Sequence, residues 1–265
     1  MSAWIQLPHL TAVTLRGPDA HAFAHAQFTT SFQNPSEGGW SLTAWCNPKG
    51  RVISTILARS DENGVDLIFP VEQADLLIRK LPMYAIGRKV EIRPQARVAG
   101  RFEPHLPAGF SLDIDPRRAL CLAPDDARTD HDQCLRWRKR DLCSGIAWMT
   151  GSSSGQFLPQ ALGLEERDGL SYQKGCYPGQ EVIARVHYLG RSKERLGALR
   201  LDESVDCADQ PLLLENRDRI GTVLQAICSD HQTIGLAVVR SEYPTGQTVI
   251  CGEVAGTLCE PEQLC

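Results

Sequence analysis

The sequence predicts an α+β protein that ends in a small antiparallel β-barrel, and three observations carry this. The first third alternates short apolar runs of strand character with segments of helical spacing. The last third breaks into brief apolar runs cut by turn residues, "LGALRL", "PLLLE", "IGTVLQAI", "TIGLAVV" and "QTVICG", a rhythm that suits a barrel or sandwich. At 265 residues the chain exceeds the roughly 100–200 residues of one compact domain, so two or three units sharing an interface are expected.

Taken in order, residues 11–15 read as a strand, and Gly17-Pro18-Asp19 opens a helix over "AHAFAHAQF" with proline at an early position. Residues 41–46 and 51–57, separated by "NPKG", read as a hairpin-like pair, and residues 65–69 add a third strand. Val71, Ala74, Leu77, Ile78 and Leu81 recur at helical spacing, with Pro82 expected to end the regular helix before "RKVEIRPQARV" returns to strand. Further on, a strand is expected near residues 119–122 and a helix over 130–143, ended by Gly145. "TGSSSG" reads as a loop. These elements divide the chain into an N-terminal α+β domain (1–99), a second α+β domain (100–190) and a barrel (191–265).

Composition excludes some classes of function. With 32 acidic and 28 basic residues the net charge is −4, and the basic residues are dispersed, so direct nucleic-acid binding is not expected. No leader pattern opens the sequence and no apolar run approaches a membrane span of roughly 18 residues, so a cytoplasmic protein without membrane association is expected. The ten cysteines (46, 121, 134, 143, 176, 207, 228, 251, 259 and 265) contain no C-x-x-C and resemble neither a zinc site nor a disulfide framework.

One cysteine stands apart. In "KGCYPGQEVIAR" a thiol, Cys176, lies between Lys174-Gly175 and Tyr177-Pro178-Gly179. The glycines read as residues of a sharp turn that brings main chain close to something. Pro178 can open a helix on which Glu181 and Arg185, four apart, face each other. A helix start and the Lys174 ammonium beside the thiol would both favour thiolate, making Cys176 a poised nucleophile or metal ligand.

This segment resembles the signature of the YgfZ family, folate-binding proteins related to GcvT, the aminomethyltransferase of the glycine cleavage system. The family pattern K-G-C-(F or Y)-x-G-Q-E followed by an A-R pair is matched at Lys174, Gly175, Cys176, Tyr177, Gly179, Gln180, Glu181, Ala184 and Arg185. "SGQFLPQALGL" and "YLGRSKERL" on either side, and "RGPDAHAFAHAQFTT" and "CNPKGR" near the start, look like further family segments. The resemblance is strong over residues 11–59 and 145–201, weaker between them, and architectural in the barrel.

The resemblance implies a GcvT-like, folate-binding architecture of three parts around a channel that holds tetrahydrofolate. It also implies a role in assembly or repair of iron–sulfur clusters, serving enzymes such as tRNA methylthiotransferases, with Cys176 as the reactive thiol and Lys174 beside it. Iron–sulfur enzymes or assembly proteins would be the partners. Cys176 would be a single ligand of a transient, shared cluster, because a cluster needs roughly four. Gln27, Thr29, Asn47, Lys49 and Arg51 match family positions as folate contacts, the last two suiting an anionic tail. Arg51 and the Cys176 loop are expected to reach one cavity.

Three rivals stand beside this reading. A folate-dependent aminomethyltransferase carries a carboxylate pair in the early hairpin, where this chain has Ser54 and Thr55, which offer no stable anion. A cysteine hydrolase would use Cys176 with one of His9, His21, His25, His105, His131, His187 or His231 as base. A non-catalytic adaptor would use none of this chemistry.

Overall fold

The computed structural model describes residues 3–33, 38–95, 97–103, 109–122, 124–229 and 231–265, and its architecture is α+β with a closed barrel at the end. The chain enters through a two-residue strand, β1 (Ile5–Gln6), which belongs to the second sheet, and then builds the first. That first sheet comprises β2 (Leu10–Arg16), then, after α1 (Ala20–Gln27), β3 (Ser41–Cys46), β4 (Val52–Asp61) and β5 (Gly64–Pro70), and finally, after α2 (Ala74–Tyr84), β6 (Glu91–Gln95). Its strands run antiparallel in the order β3-β4-β5-β2-β6.

Alternation along these strands decides the packing. Val13, Leu15, Ile56, Val65, Leu67 and Phe69 face α1 and α2, where Phe23, Ala24, Leu77 and Leu81 close an apolar layer. Residues of the opposite parity, among them Ala12, Leu42, Cys46, Leu57 and Ile68, face the rest of the molecule. The helix predicted to end at Pro82 runs on to Tyr84. Proline forfeits only its own bond to the carbonyl four residues back, and here that lies in the last turn, on a side where Ile78 and Met83 are solvent-exposed.

The second sheet has the order β1-β7-β9-β8, with β7 (Val98–Phe102), β8 (Ser111–Leu112) and β9 (Asp115–Leu122). Its strands therefore come from both sides of residue 99, β1 having crossed over to pair with β7. α3 (His131–Cys143) covers it, capped by the Asp130 carboxylate, which accepts from the Gln133 N–H. Trp137 lies on Gly100, where a Cβ would stand 2.5 Å from the indole. The buried Arg118 guanidinium is ion-paired to Asp141 at 2.5 Å and to Asp115 at 3.0 Å, and the Trp148 indole N–H donates to the other Asp141 oxygen.

After α4 (Gln180–Leu189) six antiparallel strands close into a barrel in the order β10-β13-β12-β11-β14-β15. They are β10 (Glu194–Leu201), β11 (Pro211–Leu213), β12 (Arg219–Cys228), β13 (Thr233–Arg240), β14 (Thr248–Cys251) and β15 (Val254–Cys259). Leu199, Leu201, Leu212, Val223, Val239 and Leu258 fill the barrel. On the outer side Leu196, Leu224, Leu236 and Val238 join one apolar cluster with Leu7, Trp40, Trp148 and Phe157 of the preceding parts. A single core thus spans all three units. The tail folds into a one-turn 3-10 helix, and Cys265 is disulfide-bonded to Cys143 at the end of α3. Among the described residues no helix is long and apolar enough to cross a membrane.

Candidate functional site

The signature loop is fixed at three points within six residues. The first is Lys174, which is buried with its ammonium donating to the carbonyls of His25 and Phe28. These carbonyls lie at the C-terminal end of α1, where the last turn lacks intrahelical donors and the helix dipole is negative, so a cation is stabilised there. Tyr177 is the second: it is buried against the core, its ring 4.8 Å from the Lys174 ammonium. The third is Gly179, which takes φ 80° and touches the β3–β4 hairpin so closely that a Cβ would stand 2.4 Å from Gly50 Cα and 2.5 Å from the Asn47 carbonyl oxygen. Between these anchors Cys176 is exposed, with a free thiol.

Two sequence-based expectations about the loop change. The helix opens at Gln180, two residues after Pro178, because the left-handed Gly179 intervenes. The Lys174 ammonium is directed to α1, since the helix end supplies two acceptors. Burial pulls it down to about 8 from the ordinary lysine value. Gly175 also differs from Gly179, for it is not in the left-handed region. It faces a side chain instead: a Cβ there would lie 3.4 Å from His25 Nε2.

His25 is the histidine beside the loop. Its Nδ1 accepts from the Phe32 N–H at 3.3 Å, which puts the imidazole proton on Nε2, and that buried atom has no partner. Burial and the Lys174 charge both hold the ring below the ordinary histidine pKa, so it is neutral. As placed, it offers the loop a donor rather than a base. The other described histidines are engaged elsewhere or exposed: His9 meets Cys134, His21 the Asp61 carbonyl, and His187 Glu165 and the Tyr172 ring, while His131 and His231 face solvent. His105 lies outside the described residues.

The hairpin candidates divide by whether their polar atoms are already used. Thr29 is fully buried; its hydroxyl donates to the Gly169 carbonyl at 2.7 Å and accepts from the Ala44 N–H, pinning β3 to the segment before the loop. The Asn47 side-chain oxygen accepts from the N–H groups of Lys49 and Arg51, forming the turn. Lys49 is exposed, and Arg51 reaches the Gln156 carbonyl with one nitrogen. Gln27 is buried with Oε1 lacking a partner, and nearby Trp45 is buried against Tyr84 with its indole N–H likewise unpaired. Ser54 and Thr55 are fully buried and donate to the Thr55 and Ala147 carbonyls. On α4, Glu181 and Arg185 are exposed, and no ion pair joins them among the described residues; Gln180 reaches back to the Lys174 carbonyl at 3.5 Å.

The hairpin and the loop therefore do share one face, meeting at Gly50 and Gly179. The cavities at the domain junctions are lined by other residues: one of about 110 Å³ by His9, Asp141, Trp148 and Gln225, another of about 540 Å³ by Arg140, Arg167 and Arg195. No group of three or more His, Cys, Asp or Glu side chains is placed to hold a metal among the described residues. Sequence reasoning did not single out His25 for the loop or the Cys143–Cys265 bond. Neither carries a local pattern, the disulfide joining residues 122 apart.

Comparison with known proteins places this geometry. No protein-family model matches the chain. A tRNA-modifying protein YgfZ from Yersinia pestis (strain Pestoides F) is 30% identical over an alignment of 288 positions, which covers 93% of this chain and 86% of the relative. The chain belongs to the YgfZ family. A second YgfZ, from Escherichia coli O157:H7 (strain EC4115 / EHEC), is 26% identical, with 93% of this chain and 88% of the relative covered. The crystal structure of glycine cleavage system aminomethyltransferase T from Bartonella henselae matches with a TM-score of 0.73 at 13% identity, over 97% of this chain and 84% of that one. The fold of this YgfZ relative is thus GcvT-like.

Proposed function

We propose that this protein binds tetrahydrofolate and supports assembly or repair of iron–sulfur clusters in enzymes such as tRNA methylthiotransferases, with Cys176 as the working thiol. The observation that carries the reading is the display of Cys176: an exposed thiol on a backbone pinned at Lys174, Tyr177 and Gly179. Thiolate is a preferred ligand of iron in such clusters. With Cys176 the one cysteine of its loop and no group of three or more His, Cys, Asp or Glu placed to hold a metal among the described residues, the remaining ligands would come from a partner iron–sulfur enzyme, an assembly protein or a small thiol. The names of the relatives, tRNA-modifying proteins, point to the same setting.

For the folate, the fit is selective. The unpaired Gln27 oxygen suits a pterin N–H, and Lys49 and Arg51 suit an anionic tail, whereas the Thr29 hydroxyl and the Asn47 side-chain oxygen are already engaged within the protein. Aminomethyl transfer is disfavoured because Ser54 and Thr55 provide no carboxylate and their hydroxyls already donate to carbonyls.

Calorimetry with reduced folate and a glycine-cleavage assay test the two halves: binding without transferase turnover is expected, and robust turnover would overturn the reading. In cells, Cys176→Ala should leave a folded protein that fails to sustain tRNA methylthiolation. Full support by that variant would remove the thiol from the function.

A further inference from the structure

We propose that the Cys143–Cys265 disulfide is an exchange site for a small thiol that carries two carboxylates. It lies away from the signature loop, and both of its residues line the cavity of about 540 Å³ between the second domain and the barrel. That volume is in the range of small-ligand sites. One wall of the cavity is the tail itself, with Glu260, Glu262 and Cys265.

Two guanidiniums face this tail and are held from behind. Arg167 donates to the carbonyls of Ser144 and Gly163, at 2.9 and 3.1 Å, and Arg195 to those of Leu196 and Tyr243, at 3.1 and 3.0 Å. These bonds keep both cations in place whatever happens in front. Each then meets one tail carboxylate: Arg167 meets Glu262 at 3.2 Å, and Arg195 meets Glu260 at 3.4 Å. The carboxylates are solvent-facing, with side chains 69% and 48% exposed, and such exposed pairs are weak. Glu260 also caps the tail's 3-10 helix by accepting from the Gln263 N–H, so Glu262 is the partner more readily displaced. Two fixed cations beside a disulfide form a receptor for two carboxylates and a thiol on one molecule.

A third guanidinium serves the chemistry. Arg140 Nη1 lies 3.6 Å from Cys265 Sγ, so a thiolate forming there is stabilised by the adjacent positive charge. The incoming thiolate attacks Cys143 Sγ, a new S–S bond forms, and the Cys265 sulfur leaves with the electron pair of the broken bond. A second molecule of the thiol attacks the ligand sulfur of the mixed disulfide and releases Cys143. Altogether one protein disulfide and two thiols give two cysteine thiols and one small-molecule disulfide, the two electrons coming from the small thiol. The tail is then tied by its ion pairs, by the Arg200 bond to the Gln263 carbonyl and by the buried Pro261 and Leu264.

Glutathione, 2-mercaptoethanol and cysteamine serve as dicarboxylate, neutral and cationic probes at equal thiolate concentration. Protein purified without reductant is treated with each, and the labelling of Cys143 and Cys265 is followed by peptide mass spectrometry. Relative to an unstructured disulfide peptide, glutathione should gain about tenfold over cysteamine, and salt should erase the gain. Arg167→Gln should remove most of the advantage. Glu262→Gln, at an exposed position, should accelerate glutathione about threefold by deleting a competitor. In Cys265→Ser, Cys143 is a free thiol, and glutathione disulfide should convert it to a mixed disulfide that persists, one glutathione leaving as the thiol. Equal relative rates for the three thiols, no response to Glu262→Gln, or both cysteines already free in the purified protein would overturn the proposal.

Discussion

The two glycines that flank Cys176 make opposite predictions under the same substitution. In Gly179→Ala the new Cβ enters a space already occupied by backbone, 2.4 Å from Gly50 Cα and 2.5 Å from both Gly50 N and the Asn47 carbonyl oxygen. Backbone cannot step aside as a flexible side chain can, so the loop must lift off the hairpin. The residue also holds φ 80°, which costs an L-residue about 1–2 kcal/mol. Adding roughly 1–3 kcal/mol for overpacking gives a loss of about 2–5 kcal/mol. For a chain of this size that is a fall of roughly 4–20 °C in Tm.

In Gly175→Ala neither cost arises. The backbone there is outside the left-handed region, and the methyl would meet His25 Nε2 at 3.4 Å, an ordinary contact. Stability should stay within about 0.5 kcal/mol, or rise slightly as the unfolded chain loses freedom. Urea denaturation of the two variants beside the parent protein measures both values on one scale. A Gly179→Ala variant as stable as the parent, or a Gly175→Ala variant destabilised as much as Gly179→Ala, would refute the assignment of these two roles.

Two other measurements bear on the framework around the site. Lys174 is charged in both folded and unfolded chains below about pH 8; from there to its ordinary 10.5 the folded state has released a proton that the unfolded chain retains. Stability should therefore rise with pH across that window in the parent relative to Lys174→Met, and a flat or falling difference between the two would contradict the buried placement of the ammonium. Asp141→Ala should cost roughly 3 kcal/mol, because it removes the closer of the two carboxylates paired with the fully buried Arg118 and leaves the Trp148 N–H without its acceptor; thermal denaturation within 1 °C of the parent would show the pair to be dispensable.

Much of this fold could be read from the sequence wherever a local pattern causes the structure. The strand expected at 41–46 and the helix expected over 130–143, ended by a glycine, are present at 41–46 and 131–143, Asp130 serving as the cap of the helix. The barrel runs were visible for the same reason. Sheet membership was not, because β1 pairs with β7 across more than ninety residues, and nothing in a two-residue strand announces its partner. The disulfide belongs with it, since each cysteine looks like its eight free counterparts until the tail is folded back onto α3.

Within the site, residue type announced itself but destination did not. "KGC" suggests a lysine serving a thiol, whereas the lysine serves the end of a helix 146 residues earlier, whose carbonyls are short of donors. Thr29 has the chemistry of a ligand contact, yet its hydroxyl is consumed by Gly169. The correction gives the cysteine a clearer physical setting. A thiol that must meet a partner has to be exposed, and an exposed loop is ordinarily free to move. Here Lys174 is tied to α1, Tyr177 is sunk in the core and Gly179 is pressed on the hairpin, so the freedom is removed on both sides of the thiol without covering it. Three residues of the signature thus hold the backbone of Cys176 still, and the thiol is the atom group left over for chemistry.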